Sequence, residues 1–192
     1  MSRERDRDED QDTKVKAWET LGSEKIADCH VFTLYRHKRR SPGGALGGEF
    51  HTLEAPDWVN VIALTEHREL VMVRQYRHGI DEITWEIPGG MIDSGESPEE
   101  GGGRELLEET GYEGDKGVLI GSLRPNPAFL NNTQHTVLIR NVRKVATQSL
   151  DESEEIDVAV YSLDQVEQMV ANGDITHGLV LNALYWMSRY ER

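Results

Sequence analysis

Three glutamates, Glu105, Glu108 and Glu109, constrain this chain more than any other feature. They lie in a segment with clear helix punctuation. Ser97 suits an N-cap, Pro98 suits the first helical position, and Glu100 completes an S-x-x-E capping box. Gly111 supplies a natural stop, so the pattern predicts a helix from Pro98 to Thr110. Spaced i, i+3 and i+4, the three carboxylates share one helical face, where like charges repel. A bare E-x-x-E-E reads as a solvated acidic face. Here the same stretch also carries Arg104 beside the cluster, Glu96 in the loop before it, and glycines at both ends. A hard divalent cation resolves the repulsion, because Mg²⁺ takes carboxylate oxygens and keeps waters for a phosphate ligand. The weak point is Gly101-Gly102-Gly103. Each glycine costs a helix interior about 0.8–1 kcal/mol relative to alanine.

The stretch from Gly90 to Tyr112 resembles the Nudix box, G-x5-E-x7-R-E-U-x-E-E-x-G-U, in which U is a bulky apolar residue. Gly90, Glu96, Arg104, Glu105, Leu106, Glu108, Glu109, Gly111 and Tyr112 stand on its defined positions. The glycine run is a local departure, since family members more often carry alanines there. The resemblance implies an α+β fold, the Nudix α/β/α sandwich with a mixed β-sheet, from about Pro56 onward. It also implies that Glu105, Glu108 and Glu109, with the Gly89 carbonyl, hold two or three Mg²⁺ or Mn²⁺ ions. Gly90, Glu96, Arg104 and Gly111 would support the motif, with Arg104 and Glu96 pairing to brace loop against helix.

The rest of the chain reads as short strands and two packing helices. Residues 1–13 alternate arginine with acidic residues and read as a disordered tail. Residues 14–55 form an N-terminal strand region, with strands expected at Val15 to Thr20 and Cys29 to Tyr35. The basic run Arg36 to Arg40 reads as a solvated turn, followed by the breaker Ser41-Pro42-Gly43-Gly44. Residues 56–192 form the main domain. Trp58 to Thr65 and Leu70 to Tyr76 read as a hairpin, and Ile83 to Gly89 as a strand whose polar side faces the glutamates. Gly117 to Ser122, Gln134 to Arg140 and Ile156 to Tyr161 are further strands. Ser162 and Gln165 form a second capping box before a helix stopped by Gly173, and Gly178 to Tyr190 carries an apolar stripe.

Two more stretches narrow the resemblance. Val73-Arg74-Gln75-Tyr76-Arg77 and Trp85-Glu86-Ile87-Pro88-Gly89-Gly90 are similar to Nudix enzymes that hydrolyse ADP-ribose and related nucleoside-diphosphate sugars. By that likeness Arg77 meets the diphosphate and Glu86 holds substrate or supports the site. Pro127 falls where ADP-ribose pyrophosphatases carry a proline, although Asn126, Ala128, Asn131 and Asn132 depart from the usual neighbours. Phe129 is placed to stack on a base, or else to fill the core. The run Asp151-Glu152-Ser153-Glu154-Glu155 resembles a loop that closes over the metals in that subgroup. Matched residue by residue, Glu152 falls on the general-base position and Glu154 is next best.

Composition excludes some functions. The net charge of −14 argues against a nucleic-acid polymer as partner, which would need a basic footprint. The lone Cys29 has no internal disulfide partner and reads as a small buried hydrophobe. No apolar run approaches the roughly 18 residues of a membrane span, so a soluble cytoplasmic protein is expected. The expected activity is metal-dependent hydrolysis of a nucleoside-diphosphate sugar, by a homodimer that exchanges its N-terminal region. Dinucleoside polyphosphates or nucleoside triphosphates are the alternative substrates. A ligand-sensing Nudix module is the alternative that is not an enzyme, and the intact glutamates count against it.

Overall fold

The computed structural model describes residues 15–152 and 154–191. The expected tail, Met1 to Thr13, lies outside the described residues. The chain divides between Glu54 and Ala55 into two compact units.

The first unit is an antiparallel sheet of β1 (Glu19–Asp28), β2 (Thr33–Arg40) and β3 (Gly47–Glu54). Its strands differ from those expected. Val15 to Trp18 lie before β1, and Cys29 to Phe32 form the first turn, with His30 left-handed at φ 68°. Cys29 is exposed on that turn, not buried. The basic run is no turn either, because Arg36 to Arg40 are the second half of β2. Cross-strand pairing explains why strand geometry wins over the repulsion of neighbouring cations. Arg36 meets Glu24 at 2.5 Å and Glu49 at 3.9 Å, and Arg40 meets Glu19 at 2.8 Å. The expected breaker at 41–44 does form the β2–β3 loop, with Gly43 and Gly44 both at positive φ.

The second unit is a sandwich built by period-two alternation. β4 (Trp58–Ala63) and β5 (Glu69–Arg77) follow each other through a turn at Thr65 to Arg68, then enter different sheets. β6 (Glu82–Glu86) and β7 (Gly89–Met91) lead into α1 (Pro98–Thr110). Next come β8 (Tyr112–Glu113), β9 (Val118–Leu123), β10 (Gln134–Ile139), β11 (Arg143–Lys144) and β12 (Ile156–Ser162). The helices α2 (Leu163–Asn172) and α3 (Gly178–Tyr190) finish the chain. One sheet has the order β7-β4-β10-β9, with β4 and β10 parallel and the other pairs antiparallel. The other is an antiparallel β12-β5-β6, and β8 pairs with β11.

Alternate residues of the same strands feed two separate cores. Val59, Val61 and Ala63 of β4, Val71 of β5, and Val137 and Ile139 of β10 pack with Leu106 of α1. Ile62, Leu70, Met72 and Leu138 pack with Val166 of α2 and with Val180 and Ala183 of α3. Burial on both faces is why β4 and the first half of β5 read as nearly continuous apolar runs.

α1 has the expected limits. Ser97 accepts from the Glu100 N–H while Glu100 accepts from the Ser97 N–H, and Gly111 ends the helix at φ 71°. Gly111 is required there for a second reason, since a Cβ would stand 2.1 Å from the Ala146 carbonyl oxygen. The glycine run proves uneven. A Cβ on Gly102 would meet Val61, Val59 and Val137 at 3.2, 3.3 and 3.4 Å, so glycine there lets α1 lie close on the sheet. A Cβ on Gly103 would meet nothing within 4 Å. Gly103→Ala should therefore stabilise the protein by about 0.8–1 kcal/mol in urea unfolding, through helix propensity alone. Gly102→Ala should fall short of that gain, because its methyl must displace the valines.

Candidate active site

The carboxylate face of α1 lies directly against β7, where Gly89 gives clearance to the neighbouring strand β4 and Gly90 gives clearance to an α1 carboxylate. A Cβ on Gly89 would stand 2.1 Å from the Val59 carbonyl oxygen, and one on Gly90 would stand 2.6 Å from Glu105 Oε1. The Gly89 N–H donates to Glu109 Oε2 at 3.0 Å. Glu109 is 4% exposed, and burial pushes its carboxyl up to about 8. The Gly89 hydrogen bond opposes that rise, while the charges of Glu105 and Glu154 add to it. Glu105 is raised as well, chiefly by burial, with Arg104 opposing and Glu108 and Glu154 adding.

Arg104 braces the motif as expected and does more. Its Nε and Nη2 each donate to Glu96 at 3.0 Å, and Nη2 also reaches the Met91 carbonyl at 2.9 Å. Its Nη1 donates to Glu105 at 3.0 Å and to Glu108 at 3.1 Å. Arg104 and the Asp93 N–H hold Glu96 below the usual carboxylate range. Among the described residues, no three His, Cys, Asp or Glu side chains converge into a ready metal cluster. Arg104 and the Gly89 N–H occupy the carboxylates instead. The donor set nevertheless fits a hard divalent cation. Glu105 and Glu109 both lie where burial favours protonation, and such ions bind through oxygen donors of this kind.

Arg77 and Glu86 form the neighbouring feature. Arg77 forks onto Glu86 with Nε to Oε1 at 2.6 Å and Nη2 to Oε2 at 2.7 Å. Thr84 donates to the same carboxylate at 2.6 Å, and His177 Nε2 lies 3.9 Å from it. Burial opposes the charge on Glu86, but the hydrogen bonds from Arg77 and Thr84 outweigh it and hold the carboxyl below its usual range. Arg77 also feels the charges of Glu109 and Glu154, which puts this pair beside the carboxylate face. Thr84 was legible in principle, two residues from Glu86 on one strand. His177 comes from the start of α3, and no local signal marks it.

The acidic loop is joined to α1 from below. Ser149 N–H donates to the Glu108 carbonyl at 2.9 Å, and Gln148 Nε2 donates to the Glu109 carbonyl at 2.7 Å. Sequence reasoning passed over Gln148, an ordinary polar residue in a loop. Glu154 accepts from the Asp151 N–H at 3.2 Å, and its charge reaches Glu105, Glu109 and Arg77. Glu152 is exposed on the turn of the same loop. Phe129 is 44% exposed on a turn closed by its own N–H and that of Leu130, both donating to the Asn126 carbonyl. That exposure removes the core alternative for Phe129. Among the described residues, this turn makes no hydrogen bond or ion pair with the carboxylate cluster.

Comparison with known proteins agrees with this geometry. The NUDIX domain model matches residues 54–182. An ADP-ribose pyrophosphatase of Bacillus subtilis is 28% identical over 174 residues, covering 90% of this chain and 94% of that protein. A methanol dehydrogenase activator of Bacillus methanolicus is 29% identical over 174 residues, with the same coverage of 90% and 94%. A crystal structure of an ADP compounds hydrolase superimposes with a TM-score of 0.81 at 19% identity, covering 93% of this chain and 96% of that one. The chain belongs to the Nudix family and is one of its pyrophosphohydrolases. Within the family it resembles the ADP-ribose pyrophosphatases. Among the described residues, no helix is long and apolar enough to cross a membrane.

The electrostatics set a pH dependence for the metal-free protein. Glu109 holds its proton up to about 8 in the fold but releases it near 4.5 when unfolded. Between those values the native state binds more protons, so the Glu109 contribution makes stability fall as pH rises. Thermal melting at pH 5.5 and pH 8.5 should show this loss, and Glu109→Gln should reduce it. Mg²⁺ should restore stability at the higher pH, since it binds the deprotonated carboxylates. An equal pH response in Glu109→Gln would overturn the assignment.

Proposed function

We propose that this enzyme hydrolyses the diphosphate of a nucleoside-diphosphate sugar, ADP-ribose or an ADP- or GDP-sugar, to a nucleoside monophosphate and a sugar phosphate. The observation that carries the reading is the pair of buried Glu109 and part-buried Glu105, both raised chiefly by burial, beside an arginine already aimed by Glu86. The ADP-ribose pyrophosphatase relatives support the substrate class.

Glu105, Glu108 and Glu109, with the Gly89 carbonyl, would hold two or three Mg²⁺ or Mn²⁺ ions. Such ions polarise phosphoryl oxygens and lower the pKa of a bound water. The remaining work falls to the chain. Arg77 commits Nε and Nη2 to Glu86, which leaves Nη1 to donate to a phosphate oxygen. Glu86, held ionised, keeps that guanidinium oriented. Glu152 accepts the proton of the attacking water as one phosphoanhydride P–O bond breaks, giving two phosphate monoesters. Glu154 adds a further negative charge to the cation seat. Phe129 offers an exposed ring for a base to stack on. Arg104 and Glu96, with Gly90 and Gly111, support the motif without touching substrate. The working form is a cytoplasmic homodimer in which the N-terminal strand region of residues 14–55 exchanges between copies. The domain of residues 56–192 carries the chemistry.

A substrate panel tests this reading. The protein with Mg²⁺ is given ADP-ribose, ADP- and GDP-sugars, dinucleoside polyphosphates and nucleoside triphosphates, and the products are identified. Nucleoside monophosphate plus sugar phosphate is the expected result. Tight binding without turnover would favour a sensor. Glu109→Gln should lower kcat/KM by more than about 100-fold, beyond the loss of an outer-shell partner at a metal site. Glu152→Gln should lower kcat by about 10²–10⁴, the usual worth of a general base, with the Mg²⁺ requirement unchanged. Glu154→Gln should instead raise the Mg²⁺ concentration needed for half-maximal rate.

A further inference from the structure

We infer that Gln148 is a positioning residue of the hydrolytic site, a role that rests on the function proposed above. A primary amide has two N–H donors, and Gln148 commits both. Its Nε2 donates to the Glu109 carbonyl at 2.7 Å and to the Ile156 carbonyl at 3.0 Å. The first acceptor belongs to the last turn of α1 and to the residue whose carboxylate is buried in the seat. The second is the opening residue of β12. Both ends of the segment 149–155, which carries Glu152 and Glu154, are therefore gathered by one side chain and tied to α1.

Backbone bonds act in the same sense. Ser149 N–H donates to the Glu108 carbonyl at 2.9 Å, while the Val145 and Ala146 N–H groups donate to the Gly111 carbonyl at 2.8 and 3.1 Å. A helix C-terminus leaves its last carbonyls without intrahelical partners, and here the stem of the acidic segment supplies the donors. The stem is thus part of the cap of α1. The separation between the α1 carboxylates and those of the segment is set by main-chain bonds and one amide. Glu154 feels that placement, since its charge reaches both Glu105 and Glu109. Removing the amide would leave two carbonyls to find water and would free the segment's exit from α1.

Gln148→Met keeps the length of the side chain and removes both donors. The assay uses the full chain with Mg²⁺ and the nucleoside-diphosphate sugar that it cleaves fastest. We expect kcat to fall by about 10- to 100-fold and KM to stay within about twofold, the signature of misplaced reacting groups. In a Glu152→Gln/Glu154→Gln background the same substitution should cost nothing further, because groups acting as a unit are not additive. In the metal-free protein, amide hydrogen exchange across 149–156 should quicken while β4 stays protected. An unchanged kcat, an equal loss in the double-variant background, or unchanged exchange would each overturn the positioning role. If wild type cleaves no member of the panel, the hydrolase reading falls and takes this inference with it. Normal wild-type turnover with an unaffected Gln148→Met overturns the inference alone.

Discussion

The structure turns on the cost of burying negative charge at the C-terminal half of α1. Glu109 is almost wholly enclosed, and among the described residues its carboxylate accepts one hydrogen bond, from a backbone N–H. Carboxylates removed from water demand partners or protons. Nothing in the packing of the sandwich needs a charge at this point, because the apolar side of α1 is already anchored by Leu106. A group that costs stability and contributes no packing is the expected mark of a working site.

That burden explains why the surroundings are so exacting. The helix must stand close enough to β7 for the Gly89 N–H to reach Glu109. Glycine at 89 lets β7 lie against the Val59 carbonyl of β4, and glycine at 90 leaves room for the Glu105 carboxylate. Gly102 sets the same closeness on the sheet side, against Val59, Val61 and Val137. The glycines therefore fix a distance. Gly102 gives up helix propensity so that helix and sheet can approach.

Much of this was legible in the sequence because the information is local. Ser97, Glu100 and Gly111 specify the limits of α1, and the apolar runs in β4 and β5 specify strands buried on both faces. The N-terminal region reads as strands, but their limits were not legible, because the pairing that permits Arg36 and Arg40 in a strand comes from Glu24, Glu49 and Glu19, on neighbouring strands. The position of Cys29 was misread for a similar reason, since only the β1–β2 turn decides its exposure. Glu86 could be marked as functional from its motif, but His177 beside it could not. Gln148 was hidden most completely, because its meaning lies in two carbonyls that no spacing rule connects.

The distribution of positive charge then decides where the demand for a cation is greatest. Arg104 is the internal counterion of the motif, and its donors go to Glu96, the Met91 carbonyl, Glu105 and Glu108. It makes no ion pair with Glu109, and Arg77 is tied to Glu86. Glu105 and Glu108 therefore share a guanidinium, whereas Glu109 faces the charges of Glu105 and Glu154 with one N–H and the more distant charge of Arg77 in its favour. The unmet demand for a proton or a cation is concentrated on the most buried carboxyl of the set. A divalent ion held there would relieve repulsion that no side chain of the motif relieves. The same arrangement keeps Arg104 on the outer carboxylates, where it holds the loop to the helix.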